Sequence, residues 1–224
     1  YTKKFPGPQG FPVGSENRIA TLISGGIDSP VAAYQIMTRG SDILPIYFYN
    51  KPIAAEDHLL RFESALSELK KYHPAKKWKY VLVDFEKINN KLLNIGKGRM
   101  ILQRRAMFKV AEKVVKKKNL AGLATGESIG QKSSQTARNF EITSKKINKP
   151  IHRPLLTWNK NEIVRKAKSI GTFENSTIES ACRSMSPDKP STQADEERIR
   201  DLENQIEIQD LVQKTYENRK IKEL

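Results

Sequence analysis

The chain is 224 residues long and carries a net charge of +15, with 40 Lys and Arg against 25 Asp and Glu, and a single cysteine. That length is enough to bury a real core, as one large domain or two small ones. No apolar run approaches the roughly 18 residues that span a bilayer, which excludes a transmembrane helix, and the lone Cys182 excludes an internal disulfide or a multi-cysteine metal site within the chain. The segment Tyr1–Pro6 lacks the apolar centre of a signal peptide, and one cysteine fits a reducing compartment, so a cytoplasmic location is expected. Lysine clusters at Lys76-Lys77, Lys116-Lys117-Lys118 and Lys145-Lys146 suit a polyanionic partner bound through counterion release, or equally a solvated lysine-rich surface.

In chain order, residues 1–17 contain Pro6-Gly7-Pro8 and Pro12-Val13-Gly14, which are too rich in proline and glycine for a helix or central strand and read as a linker or arm. From Arg18, apolar runs near residues 19–24, 43–49, 79–84, 120–125 and 151–155 predict strands. Helical periodicity covers residues 29–39, 56–72 and 99–118, and again from Asn159 to Ile170, before the stop at Gly171-Thr172. Strand and helix alternate, which predicts an α/β fold: a doubly wound parallel sheet with helices on both faces and ligands at the carboxyl ends of the strands. An irregular segment with Cys182, Pro187 and Pro190 follows, and the sheet domain is expected to span 18–192. Apolar positions Ile199, Leu202, Ile206, Leu211, Val212 and Tyr216 among many charges predict one long surface helix over 193–224, packed back on the domain in preference to a coiled-coil partner.

The stretch Ser24-Gly25-Gly26-Ile27-Asp28-Ser29 lies between a predicted strand and Pro30-Val31-Ala32, which opens a helix. Two glycines permit a tight turn and close approach to a ligand, and the unpaired N–H groups of the first helical turn, with the hydroxyls of Ser24 and Ser29, form a cradle for a phosphate chain. The residues match neither a Walker A loop nor a Gly-x-Gly-x-x-Gly loop.

They match the Ser-Gly-Gly-x-Asp-Ser signature of the PP-loop ATP pyrophosphatases, which cleave ATP between the α and β phosphates and adenylate a substrate oxygen. Within that superfamily, Ser24 to Ala32 and the Pro6–Gly14 arm resemble the tRNA 4-thiouridine synthetases (tRNA sulfurtransferases). The resemblance continues through Arg104-Arg105 and Met107, Thr125-Gly126-Glu127-Ser128-Ile129-Gly130-Gln131, Ser134-Gln135-Thr136, Arg153-Pro154-Leu155, Lys160 and Cys182.

That resemblance implies ATP-dependent adenylation of uridine O4 at position 8 of tRNA, release of pyrophosphate, and replacement of the oxygen by sulfur. Ser24, Gly25, Gly26, Ile27, Asp28 and Ser29 would grip the pyrophosphate part of ATP, joined by Gly126, Glu127, Ser128 and Gln135. A carboxylate beside phosphates is repulsive without a bridging metal, so Asp28 is expected to hold Mg²⁺ or to orient the attacking group. A capped helix start at Ser128, with Gln131 three residues on, is compatible with that role. Arg104 and Arg105 are expected to touch phosphate or RNA, Lys160 to assist activation, and Cys182, next to Arg183, to take part in sulfur transfer.

The chain departs from the family pattern in lacking a rhodanese domain after residue 192, so the sulfur donor is expected to be external, a persulfide carrier protein or sulfide. One cysteine cannot hold an iron–sulfur cluster. The chain begins at Tyr1, where an N-terminal THUMP-type tRNA-binding module would hand over to the catalytic domain, and that module is expected to be absent from this chain. The same adenylation on another acceptor, such as a sulfur carrier protein of thiamine thiazole synthesis or another RNA base, and a nonenzymatic RNA-binding role stay open, as does the oligomeric state, a homodimer included.

Overall fold

The computed structural model describes residues 2–3, 9–50, 57–132, 134–177 and 192–224. Five strands run parallel: β1 (Phe11–Leu22), β2 (Arg39–Tyr49), β3 (Lys79–Asp84), β4 (Leu123–Ala124) and β5 (Ile151–His152). A sixth, β6 (Lys220–Glu223), pairs antiparallel with β3, and the sheet order is β5-β4-β1-β2-β3-β6. The chain therefore leaves β1 towards β2 and β3, then crosses back to β4 and β5 on the other side. The reversal opens a crevice at the carboxyl ends of β1 and β4, where doubly wound sheets take their ligands.

Alternate residues of the strands feed two cores. Ala20, Leu22, Leu44, Ile46, Phe48, Val81 and Val83 face α3 (Glu86–Leu93) and α4 (Arg99–Lys118). Ile19, Ile23, Ile43, Tyr47 and Tyr80 face α1 (Asp28–Thr38), α2 (Asp57–Lys70) and α6 (Lys160–Ser169). Burial on both faces explains the mostly apolar run Ile19–Ile23, in which even Thr21 is buried, since a half-solvated strand would alternate with polar residues.

Two expectations need correction. Residues 11–17 extend β1 instead of remaining an arm, with Phe11 opposite Arg39 and Glu16 opposite Ser41. Pro12 and Gly14 are tolerated because β4 pairs only with Ala20 and Thr21, so this end of β1 has a partner on one side alone. The segment 193–224 is not one surface helix. It forms α8 (Glu196–Gln205), α9 (Ile208–Glu217) and β6, with a break at Glu207, whose φ is 51°. A left-handed residue costs about 1–2 kcal/mol, whereas the turn buries Ile208 and Val212 against the first core at about 1.5–3 kcal/mol each. Helices α3, α5 (Ala137–Ser144) and α7 (Phe173–Thr177) were not anticipated, being only 8, 8 and 5 residues long.

Helix α8 is tied to α4 by buried charge. Glu203 accepts from Arg105 Nε at 2.8 Å and Nη2 at 2.9 Å, and from Lys109 Nζ at 2.8 Å. Burial pushes the Glu203 carboxyl up, but the hydrogen bonds from Arg105 and Lys109 outweigh it and hold it below the ordinary 4.5. Burial also lowers the Lys109 ammonium. The carboxylate of Glu203 governs the behaviour of the cluster in acid.

Glu203→Gln leaves two buried cations without their anion and is expected to lower unfolding free energy by roughly 3–5 kcal/mol at neutral pH. The Glu203 contribution is present above the unfolded carboxyl value of 4.5 and is lost as pH falls through the lower folded-state value, so the gap between wild type and variant closes in acid. Denaturant titrations at neutral and acid pH check both statements.

Candidate functional site

The loop between β1 and α1 packs its own polar groups together. Ser24 N donates to Ser29 Oγ at 2.8 Å, the two hydroxyls lie 3.0 Å apart, and Gly26 N donates to Ser24 Oγ at 3.2 Å. No side-chain cap closes the N-terminus of α1, so its first-turn N–H groups and the positive end of its dipole face the crevice. A Cβ at Gly25 would lie 2.8 Å from the Cβ of Arg61 and 3.2 Å from the His58 carbonyl oxygen, so α2 lies directly behind the turn. From the other side of the crevice, a Cβ at Gly126 would stand 2.8 Å from the backbone N and Cα of Ser29.

The resulting cleft is lined by Ser24, Gly25, Gly26, Asp28 and Ser29 from the first loop, and by Thr125, Gly126, Glu127, Lys132 and Gln135 from the segment after β4. Arg104 and Met107 enter from α4, His58 from α2, and Tyr47, Phe48 and Asn50 from the end of β2. Asp28 accepts from Lys160 Nζ, the first residue of α6, at 2.7 Å. The pair is half exposed on the lysine side and contributes at most about 1 kcal/mol, so an incoming anion can open it cheaply. Burial first, and the Arg61 guanidinium second, hold the His58 imidazole below its ordinary value, against the opposing charge of Asp57.

Several sequence expectations are redirected. Ile27 does not line the cleft; it packs on the second core. The Ser128 hydroxyl donates to the Trp158 carbonyl at 2.8 Å, and residues 129–132 form turns and bends in place of the expected capped helix start. The next helix, α5, is capped instead by Thr136, which accepts from Asn139 N. Glu127 lines the cleft, yet its carboxylate lies between Arg104 and Arg153, at 3.3 and 2.9 Å. Arg105 points away from the cleft, into the ion cluster with Glu203 and onto the Ile142 carbonyl at 2.6 Å. Successive helical residues diverge by about 100°, so Arg104 and Arg105 cannot share a face. Gln135 is 6% exposed and lines the cleft, and its buried Oε1 has no hydrogen-bond partner among the described residues.

Cys182 lies outside the described residues. The described chain on either side of it is tied near the cleft: Arg61 donates to the Ser176 carbonyl, and Thr136 Oγ1 donates to the Thr192 carbonyl at 2.8 Å. His58 and Lys132 were not singled out from the sequence. Lys132 follows the second signature directly, a signal that was present, whereas only the packing of α2 behind Gly25 brings His58 to the cleft.

Comparison with known proteins gives the following. The profile of the family described as "Thiamine biosynthesis protein (ThiI)" matches residues 14–208. A probable tRNA sulfurtransferase of Halobacterium salinarum is 40% identical over 195 residues, covering 87% of this chain and 50% of that protein. One of Thermus thermophilus is 31% identical over 223 residues, covering 98% and 54%. A crystal structure of a 4-thiouridine synthetase–RNA complex with bound ATP superposes with a TM-score of 0.89 at 32% identity, covering 95% of this chain and 56% of that one. The chain thus spans about half the length of the curated relatives it matches.

Gly126→Ala must push the first loop away from β4, because the added carbon meets backbone and not a movable side chain. It is expected to lower Tm and, on the nucleotide reading proposed for this cleft, to weaken ATP roughly tenfold or more. Gly26→Ala, whose Cβ would meet only Ser24 Oγ at 3.4 Å, is expected to leave Tm near wild type. Thermal melts and equilibrium ATP titration check the contrast.

Proposed function

Because the chain belongs to the family described as thiamine biosynthesis protein (ThiI), we propose that it carries the ATP-dependent adenylation and thiolation chemistry that converts a tRNA uridine, at position 8, to 4-thiouridine. The observation that carries this reading is the cleft between β1 and β4, a space of about 230 Å³ lined by the start of α1, by Asp28 with its partner Lys160, and by Arg104.

In the reaction, uridine O4 attacks the α-phosphorus of ATP, the bond to the β-phosphate oxygen breaks, and pyrophosphate leaves as the N3 proton is lost. Hydrosulfide then adds to C4, and the C4–O bond breaks to expel AMP. The backbone N–H groups at Gly25 and Gly26 and the hydroxyls of Ser24 and Ser29 hold the departing pyrophosphate and offset its growing charge. When the nucleotide enters, Lys160 leaves Asp28 for a phosphate oxygen, and Arg104 meets the polyphosphate from the opposite wall. Gln135, which lines the same cleft, would join the nucleotide site.

The residues present fit Mg²⁺: one carboxylate, Asp28, beside two hydroxyls matches the habit of this ion of taking one or two carboxylates and completing its shell with phosphates and water. Bound with ATP, it would neutralise phosphate charge. Cys182 is proposed to act with an external persulfide carrier: the carrier persulfide adds to C4 as AMP leaves, the Cys182 thiolate then attacks the carrier sulfur and breaks the S–S bond to release 4-thiouridine, and an external dithiol reduces the resulting Cys182–carrier disulfide, whereas free sulfide adds to C4 directly. A net charge of +15 favours tRNA as partner. No helix among the described residues is long and apolar enough to cross a membrane, and a cytoplasmic location is proposed.

The full-length protein incubated with ATP, Mg²⁺, sulfide and tRNA is expected to release pyrophosphate and to give tRNA that absorbs in the near ultraviolet. Asp28→Asn is expected to abolish both signals, and Lys160→Ala to lower pyrophosphate release by about two orders of magnitude or more. Pyrophosphate release that does not depend on tRNA, or tRNA that gains no chromophore with any sulfur donor, would overturn the assignment.

A further inference from the structure

Glu127 is 3% exposed and shares its carboxylate between two guanidiniums. Its Oε2 accepts from Arg153 Nε at 2.9 Å, while Oε1 lies 3.3 Å from Arg104 Nε. The two arginines are not equivalent. Arg153 is 13% exposed, donates through Nη2 to Ser144 Oγ at 2.8 Å, and lies over the rings of Phe140 and Phe108 at 4.9 and 6.0 Å. It is therefore held on three sides. Arg104 is 30% exposed, lines the cleft, and faces the same carboxylate across a longer gap.

The charge balance gives this arrangement a purpose. A buried Glu127 with Arg104 as its one partner would draw that guanidinium into a closed, neutral pair, and an anion in the cleft would meet no net charge. With Arg153 also present, the trio carries a net charge of +1, and the longer, more exposed contact is the one that leaves a guanidinium free to bond elsewhere. Charge-assisted bonds in a low-dielectric setting are strong enough for this difference to matter.

We propose that Arg153 is a positioning residue: by neutralising buried Glu127 it holds the Arg104 guanidinium at the cleft wall with its charge uncancelled, available to the polyphosphate of the nucleotide. The inference rests on the nucleotide reading of the cleft but not on tRNA or sulfur. It also assigns Glu127 the part of a buried bridge in place of a metal ligand or base, since both of its oxygens are engaged.

The test is equilibrium binding of a non-hydrolysable ATP analogue and of adenosine to the full-length protein. Arg153→Met, which keeps an apolar stem and removes the guanidinium, is expected to weaken the analogue roughly tenfold and leave adenosine unchanged. Adding Glu127→Gln to Arg153→Met removes the carboxylate that cancels Arg104 and is expected to restore most of the lost affinity. A purely packing role for Arg153 predicts the opposite, a double variant weaker than either single one and parallel losses for both ligands, and that outcome overturns the proposal. So does an Arg153→Met affinity equal to wild type. If Arg153→Met fails to fold, Arg153→Lys serves: analogue affinity near wild type despite the lost Ser144 bond supports charge compensation, and a tenfold loss overturns it. A wild-type protein that binds neither ligand refutes the nucleotide reading itself, whereas sound ATP binding without thiolation refutes only the proposed reaction.

Discussion

The backbone of Gly126 lies so close to that of Ser29 that one added carbon would stand 2.8 Å from it, and this contact joins the two halves of the sheet at the point where the chain reverses direction. Strand β4 is only two residues long, yet it is fastened on both sides, to Ala20 and Thr21 of β1 and to Ile151 and His152 of β5. The loop beyond it is tied down by the bonds of Thr125 N to the His152 carbonyl and Ile129 N to the Leu156 carbonyl. These few bonds carry the second wall of the cleft to the first. The uncapped start of α1 and the residues after β4 then face each other without any side chain between their backbones.

Charge around the cleft is arranged by α4, in which two adjacent arginines have opposite surroundings. Arg105 is nearly fully buried and anchors α8 through Glu203, while Arg104 belongs to the cleft wall and to Glu127. The helix rotation of about 100° per residue separates the two functions, so the C-terminal helices steady the helix from which Arg104 reaches the cleft. Breaking a buried charge pair costs several kcal/mol, far more than opening the exposed Asp28–Lys160 pair at about 1 kcal/mol or less. The scaffold charges are thus fixed, and the pair at the cleft mouth is loosely held.

Much of this was legible in the amino-acid sequence where signals are local. The Ser24–Ser29 turn, the apolar run Ile19–Ile23 and the periodicity of Arg99–Lys118 depend on residues near one another, and the parallel, helix-covered sheet follows from their alternation. The short elements were harder. Two-residue strands such as Leu123–Ala124 and the 8-residue helix Ala137–Ser144 carry too few residues for a periodic pattern, and their existence depends on neighbours supplied from elsewhere. The C-terminal segment departs from its sequence pattern for a related reason: its apolar positions suit one helix, and only the space beside α4 and β3 favours a turn at Glu207 with a strand beyond it.

The candidate site divides in the same way. The sequence by itself determined the turn chemistry of the Ser24–Ser29 loop, because glycine geometry and first-turn N–H groups are properties of the local backbone, and its motif order pointed to Gly126, Gln135 and Lys160. Which carboxylate faces which cation was decided only by the tertiary structure: Asp28 with Lys160, Glu127 with Arg104 and Arg153, Glu203 with Arg105 and Lys109. The reason is physical. In a chain with 40 basic residues, charge type alone assigns no partner, and an ion pair gains its strength and meaning from the burial and geometry that distant segments impose when they meet.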